Sequence, residues 1–325
     1  MKLVVLHDDV AGSSNPDDQD VFGQAAAVEA ALAANGREVS RMPLGLDLAR
    51  ARAALERERP DLVFNLVESL GGSGRLIHVA PALLDALGLP YTGCPTEAIL
   101  LASNKLLAKR LLARHGLPTP GWLEPGGGPP EAGRFIVKSV WEDASIGLDD
   151  GALVALRPGD DVAALLRERA PRLGGAAFAE SYVEGREMQI SLLADRDGVE
   201  VLPPSEILFS AWPPGKPRIV SYAAKWHPAS FEYRHTARRL ALPPEDGKLQ
   251  RQLCELALRC WELFGLAGYA RVDFRVDADG RPWILEVNPN PALTDEAGLA
   301  GAAAAAGLRP ADVIERIVAC ALAAP

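Results

Sequence analysis

Cysteine, histidine, methionine and the aromatics are sparse in this chain, with 4 Cys, 5 His, 3 Met and 6% aromatic residues among 325. The four cysteines, Cys94, Cys254, Cys260 and Cys320, form no CxxC pair, which argues against a disulfide framework or a thiolate zinc site. Cys254 and Cys260 fall in an apolar helical pattern and suit reduced core positions. The histidines (His7, His78, His115, His227, His235) show no HExxH-type spacing, so a histidine metal site has no support. Basic residues are in deficit too. A formal charge of −9 and a pI near 5.2, with no long Lys/Arg stripe, speak against nucleic acid or an anionic membrane as partner. The opening MKLVVLHDDV meets two aspartates at once, unlike a secretory segment or a membrane span, so the expected location is the cytoplasm. Neither GxxxxGK[ST] nor GxGxxG after a strand is present, which leaves a P-loop kinase and a Rossmann dehydrogenase unsupported. Any phosphate must be met by residues gathered from separate elements.

What is present is a 48% hydrophobic chain long enough for two or three lobes. A strand at 3–7, an alanine-rich helix over 21–34, a helix over 47–59 stopped by Pro60 and a strand at 62–66 read as βα units. After the glycine-rich turn Gly71-Gly72-Ser73-Gly74, a third helix runs through Leu87 to Leu89-Pro90-Tyr91-Thr92-Gly93. This pattern predicts a small parallel sheet closing near residue 95. A helix over 96–115, with Thr96 as N-cap, carries Lys105 and Lys109 and leads into the extended linker Gly116-Leu117-Pro118-Thr119-Pro120. Beyond it come a strand at 135–138, the loop WEDASIG, a helix near 160–170, a strand at 177–180 and a hairpin turning near 195–198. The stretch 203–235, rich in Pro, Trp and Tyr, reads as a long functional loop. The helix over 247–264 aligns Leu249, Leu253, Leu256, Cys260, Trp261 and Phe264 on one stripe, a supporting role.

The most informative segment is YARVDFRVDADGRPWILEVNPNP, residues 269–291. Alternation puts Val272, Phe274 and Val276 on one face of a strand. Trp283, Leu285 and Val287 take the matching face of a second strand, after the turn Asp277-Ala278-Asp279-Gly280. Arg271, Asp273, Arg275, Glu286 and Asn288 are left on the other face, where hairpin pairing brings Asp273 near Glu286 or Asn288. Such a face is either a solvated wall or a hard-cation site. Two carboxylates and an amide oxygen suit Mg²⁺, which takes oxygen ligands and shares them with waters and phosphates. Asn288-Pro289-Asn290-Pro291 ends the strand abruptly and fixes the following loop, which favours the metal reading.

Lys105 on a helix and Lys138 at the end of an apolar strand are charges that need an anionic partner, either a structural carboxylate or a bound phosphate. Glu180 and Glu187 flank Ser-Tyr-Val-Glu-Gly-Arg and could offer main-chain groups to a base and carboxylates to ribose hydroxyls. Lys225 in the long loop could reach a phosphate. In the first lobe Glu68 and Asp17, Asp18 or Asp20 are either solvated carboxylates or contacts for a substrate ammonium.

In order along the chain, Lys105, Lys138, EDASIG, AESYVEGREMQISLL, the AKW of 224–226, ARVDFRV and ILEVNPNP resemble the ATP-grasp superfamily, specifically its D-alanine–D-alanine ligase-like branch. LPYTG and GLPTP are similar to that branch too. The resemblance spans almost the whole chain. It implies an α/β ATP-grasp fold with a small parallel-sheet lobe (1–95), a central lobe (96–185) and a C-terminal lobe (186–325), the last two clasping ATP between antiparallel sheets. It also implies an ATP- and Mg²⁺-dependent carboxylate–amine ligase that works through an acyl phosphate. By match to the motifs, Lys105 and Lys138 would hold phosphates, Glu180, Tyr182 and Val183 would line the adenine, and Glu187 would meet the ribose. Lys225 would reach the γ-phosphate. Asp273, Glu286 and Asn288 would bind two Mg²⁺ ions, with Mn²⁺ an acceptable substitute, and Arg271 would stabilise the transferring phosphoryl group. Substrates would be small amino acids or carboxylates, and the protein a homodimer.

The departures from the family pattern fall where substrates are read. Ala144 replaces the first of two loop serines, leaving Ser145, which joins Arg271 and Lys225 in the expected catalytic set. Trp226 replaces a tyrosine, Asn288-Pro289-Asn290-Pro291-Ala292 replaces the usual terminal motif, and Ala297 stands where an acceptor-binding serine is expected. HDDVAGSSNPDD replaces the amino-terminal glycine-serine-glutamate signature. Glu68, Asp17, Trp226 and Asn290 are the candidate substrate contacts. The expected activity is ligation of two amino acids, or of an amino acid to another carboxylate. The alternatives are D-alanine–D-alanine ligation in cell-wall synthesis and a silent nucleotide-binding regulator, the last disfavoured by retention of the full set Arg271, Asp273, Glu286 and Asn288.

Overall fold

The structure is a computed structural model that describes residues 1–10, 16–128, 130–195, 198–294 and 297–323, without the side chains of residues 16–18. Strand β1 (Lys2–Asp8), helix α1 (Pro16–Ala34), β2 (Glu38–Leu44), α2 (Leu48–Glu58), β3 (Leu62–Asn65) and α3 (Val79–Leu87) form the first lobe. Its sheet is parallel in the order β2-β1-β3, and Tyr91 bridges Val63 in parallel to extend it. Leu3, Val5 and Phe64 face one core, Val4, Leu6 and Val63 another, as expected for a sheet covered on both faces. The sequence pattern does not show β2, because EVSRMPL is an edge strand with only Leu44 fully buried and no apolar alternation.

The predicted helix over 96–115 is two helices, α4 (Thr96–Ser103) and α5 (Lys105–Arg114). Asn104 breaks it: its backbone is extended, and its side chain accepts from the amides of Leu106 and Leu107, capping α5. Thr96 does not act as an N-cap; its hydroxyl donates to Asp85 at 2.6 Å. Restarting the helix at Lys105 sends that side chain to Glu142 and Asp143, in the EDASIG loop within the next sheet.

That sheet has four antiparallel strands ordered β4-β7-β5-β6, made of β4 (Trp122–Leu123), β5 (Gly133–Ser139), β6 (Leu153–Leu156) and β7 (Ala177–Ser181), with α6 (Val162–Arg169) packed on it. The larger sheet draws on β8 (Arg186–Asp195), β9 (Gly198–Val201), β10 (Ser205–Phe209), β11 (Thr236–Leu240), β12 (Tyr269–Val276) and β13 (Pro282–Asn288), ordered β11-β10-β8-β12-β13 with β9 on β8. The long loop expected at 203–235 is therefore partly ordered. It holds β10 and two short helices, α7 (Tyr222–Trp226) and α8 (Phe231–His235), and it leads directly into β11. Helix α9 (Gly247–Phe264) buries Leu253, Ala257, Cys260 and Phe264 against β12 and β13, the supporting role its stripe predicts. Helices α10 (Gly298–Ala305) and α11 (Pro310–Ala323) pack on the first-lobe core. Ala302 and Ala303 are buried there, while Ala304, Ala305 and Ala306 are exposed, so one side of α10 packs and the other faces outward.

Candidate active site

The hairpin β12–β13 carries the expected polar face, with one correction of register. Asp273 pairs with Glu286, but Phe274 pairs with Ile284, so Leu285 is an extra residue on β13. This β-bulge moves Ile284 into the core with Val287, in place of Trp283 and Leu285, and turns Leu285 toward the cleft beside Glu286. Trp283 instead donates its indole N–H to Asp277 at 2.9 Å. Arg271 grips Asp273 with two hydrogen bonds of 2.6 and 2.9 Å and sits opposite Asn288. Burial opposes the Arg271 charge, but Asp273 and Glu286 more than offset it and raise its pKa. The Glu286 carboxyl is raised, first by burial and then by Asp143. Among the described residues no three His, Cys, Asp or Glu side chains form a metal cage. Asp273, Glu286 and Asn288 nevertheless form an all-oxygen donor set at a cleft wall, which fits Mg²⁺ whose remaining ligands come from water and phosphate.

Between the two antiparallel sheets lies a cleft lined by Ile136, Tyr182, Val183, Ile219 and Leu285 as well as by lysines and carboxylates. Lys105 is ion-paired with Asp143 at 2.5 Å, donates to the Glu142 carbonyl at 3.0 Å and lies 4.0 Å from Glu286. Lys138 pairs with Glu180 at 2.5 Å, and Lys109 holds the other oxygen of Glu180 at 2.7 Å. Burial opposes ionisation of Glu180, but the two lysines prevail and lower its pKa. Glu180 thus lines the cleft wall, with its carboxylate the shared counter-ion of two lysines. Glu187 pairs with Arg275 at 3.0 Å, and Arg275 also stacks over Tyr182. Ser145 and Ala144 both have left-handed backbones, with φ of 62° and 54°, and the Ser145 hydroxyl donates to the Val220 carbonyl at 2.8 Å. That bond ties the EDASIG loop to the segment before α7. Lys225 of α7 lines the cleft; crowding by protein, followed by Arg271, lowers its pKa.

A second cavity adjoins the first and reaches into the first lobe. Asp143, Ala144, Lys225, Arg271 and Glu286 line both. Glu68 and Trp226 line the second, and the Trp226 indole donates to the Ala144 carbonyl at 3.3 Å. Asn290 also lines it, but both ends of its amide are committed to the protein, accepting from Tyr269 at 2.7 Å and donating to the Val67 carbonyl at 3.1 Å. It is a structural pin rather than a free contact. The Asp17 side chain lies outside the described residues. Glu142 closes the joint between lobes by accepting from the Gly74 amide at 3.1 Å. A Cβ on Gly74 would come within 2.8 Å of that carboxylate, and one on Gly174 within 2.5 Å of the same side chain. The glycine-rich turn is therefore a docking surface for the EDASIG loop.

Residues 135–319, more than half the chain, match the family model of the D-ala D-ala ligase C-terminus. The chain belongs to the D-alanine–D-alanine ligase-like family. It is 30% identical to the D-alanine–D-alanine ligase of Gloeobacter violaceus, with 98% of each chain covered, and 30% identical to that of Moorella thermoacetica, with 99% of each covered. A D-alanine–D-alanine ligase from Bacillus anthracis solved with ATP shares its fold, with a TM-score of 0.75 and 20% identity over 99% of this chain and 97% of that one. This ligase-like chain is by class an ATP-dependent, ADP-forming carbon–nitrogen ligase that depends on a divalent metal. Among the described residues no helix is long and apolar enough to cross a membrane. The sequence pattern places Lys109 on a helix but does not show its pairing with Glu180, and it gives no role to Asp143 or to Gln189, which lines the cleft and donates to Asp273 at 3.5 Å. The pair Glu142-Asp143, directly before Ala144 in a loop that must meet Lys105, was the available signal for Asp143.

Proposed function

We propose that this protein joins two amino acids, or an amino acid and another small carboxylate, by phosphorylating one carboxylate with ATP and transferring the acyl group to an amine. The observation that carries this reading is the shared wall between the cavities. A carboxylate in the second cavity and a terminal phosphate in the first would meet beside Arg271, Lys225 and Glu286. Lys105 and Lys138 would hold phosphates, with Asp143 and Glu180 keeping their side chains aligned. Tyr182 and Val183 would flank the base, and Glu187 would face the ribose. Asp273, Glu286 and Asn288 would hold Mg²⁺, one or two ions with Mn²⁺ accepted, and the metal supplies charge neutralisation for phosphoryl transfer. Arg271 and Lys225 would stabilise negative charge on the transferred group and on the tetrahedral carbon. The amine nitrogen then bonds to the acyl carbon and inorganic phosphate leaves, so no protein nucleophile takes part. Ala144 and Trp226 at the substrate wall make a substrate pair other than D-alanine with D-alanine our preferred reading.

Trapping tests the chemistry directly. With Mg-ATP, a substrate amino acid and hydroxylamine in place of the amine, we expect equal amounts of ADP and amino-acid hydroxamate. Formation of AMP and pyrophosphate in their place would refute an acyl phosphate.

A further inference from the structure

Strand β13 lies at one end of its sheet, with β12 on one side and its other edge facing the linker between α5 and β4. The linker takes that edge at Ile284. The Ile284 amide donates to the Pro118 carbonyl at 2.8 Å, and the Ile284 carbonyl accepts from the Thr119 hydroxyl at 2.9 Å. The sequence prepares the linker for this contact: Pro118 fixes its own φ and Pro120 biases Thr119 toward the extended region, so Thr119 meets β13 from a backbone with little freedom to lose. Ile284 is also where the β12–β13 register changes. Phe274 pairs with Ile284 and Asp273 with Glu286, so whatever fixes Ile284 fixes where the bulge falls and which way Glu286 points. A slip of one residue would turn Glu286 away from Asp273. The Ile284 side chain is fully buried in the core, which holds the strand down against it, and the two linker bonds add a hold along the strand. The pin is in turn tied to the phosphate side of the cleft. Lys109, only 1% exposed, donates to the Thr119 hydroxyl at 2.8 Å and to the Pro120 carbonyl at 2.9 Å, and it pairs at 2.7 Å with Glu180, whose other oxygen holds Lys138. One turn earlier on α5, Lys105 lies 4.0 Å from Glu286 itself.

We propose that Thr119, its hydroxyl aligned by Lys109, is a positioning residue for the metal ligand Glu286. The inference rests on the reading of Asp273, Glu286 and Asn288 as the metal site. Thr119 touches neither the metal nor a phosphate; it acts through Ile284 and the bulge. Lys109 gives to the Thr119 hydroxyl, and that hydroxyl gives to Ile284, so the two bonds run in one direction and each strengthens the other. Removing the hydroxyl leaves the Ile284 carbonyl without this donor next to the one place where the hairpin carries an extra residue.

The test uses the full-length protein with ADP. Water-proton relaxation measures protein-bound Mn²⁺, and calorimetry measures ADP binding without metal. Thr119→Val keeps the shape and removes the hydroxyl. We expect it to weaken Mn²⁺ binding in the ADP complex by about tenfold, as loss of a residue that orients a ligand does, while metal-free ADP affinity holds and thermal unfolding stays cooperative. Thr119→Ser, which keeps the hydroxyl, should restore the Mn²⁺ affinity. Should the valine variant not fold, Thr119→Cys, a weaker donor of similar size, must show a smaller loss of the same kind. Glu286→Gln reports on the metal site itself. Where Glu286→Gln loses Mn²⁺ but a folded Thr119→Val or Thr119→Cys does not, or where the serine variant loses as much as the valine, this inference falls and the metal site stands. A loss of metal-free ADP affinity equal to the loss of Mn²⁺ would also overturn it, because the hydroxyl would then support the whole cleft. Mn²⁺ binding that survives Glu286→Gln would instead overturn the metal-site reading on which the inference rests.

Discussion

Asp273 and Glu286 stand directly opposite each other across β12 and β13, held there by the extra residue Leu285. Without the bulge, strict alternation would give Glu286 the same face but leave Leu285 pointing into the core. With it, Leu285 and Glu286 both reach the cleft. Glu286→Gln keeps the volume and removes the charge. ADP release should fall by about 10²-fold or more, with little change in melting temperature, and chelation of divalent metal should match that loss in the unmodified protein. Unchanged ADP formation in a well-folded variant would remove Glu286 from the metal site.

Glu180 is the keystone of a buried trio. Replacing it by Gln leaves Lys109 and Lys138 without their shared counter-ion, and removal of one partner from a buried pair costs about 3–5 kcal/mol. Urea unfolding should show a loss of that size. Lys109 also donates to Thr119 and to the Pro120 carbonyl, and Thr119 donates to Ile284 on β13, so the loss should loosen the linker as well. A stability change below about 1 kcal/mol would mean that the trio is solvated and not load-carrying.

The pH dependence of stability has a sign set by Glu68. Its folded pKa of about 8 is raised above the ordinary 4.5, so its contribution is fully present below about 4.5 and is lost as pH rises through about 8. Across that window the unmodified protein should lose stability relative to Glu68→Gln, with the gap constant above it. Denaturation midpoints between pH 5 and 9 decide the matter, and parallel curves for the two proteins would contradict the assignment.

Ala144 and Trp226 touch through the Trp226 indole N–H and the Ala144 carbonyl, and both line the substrate cavity. Ala144→Ser combined with Trp226→Tyr should alter the KM and preference for amino acids by about tenfold or more and the KM for ATP by less. A larger shift for ATP would place these positions in the nucleotide site.

Much of the fold was legible because strong periodicity marked it. Strand β12 and helix α9 announce their faces in the spacing of Val272, Phe274 and Val276 and of Leu253, Cys260 and Phe264. What the pattern hid has physical causes. Strand β2 lies at a sheet edge, the break at Asn104 depends on a capping bond, and the bulge at Leu285 is a pairing event that no single strand encodes. The candidate site was readable where a charge interrupts an apolar strand, as at Asp273 and Lys138. Whether such a charge meets a ligand or a counter-ion depends on distant partners, so the commitment of Glu180 to two lysines and of Lys105 to Asp143 emerged only from the three-dimensional arrangement.

The central claim is ATP-driven amide formation with an altered substrate pair. ADP release with Mg-ATP against D- and L-amino acids, singly and in pairs, with product masses read from the active mixtures, tests it most directly. The account predicts ADP release and an amide of the mass of two amino acids less one water, from a pair other than D-alanine with itself. Turnover by D-alanine alone to the dialanine mass would contradict the altered pair, and nucleotide binding with no turnover by any mixture would contradict the ligase.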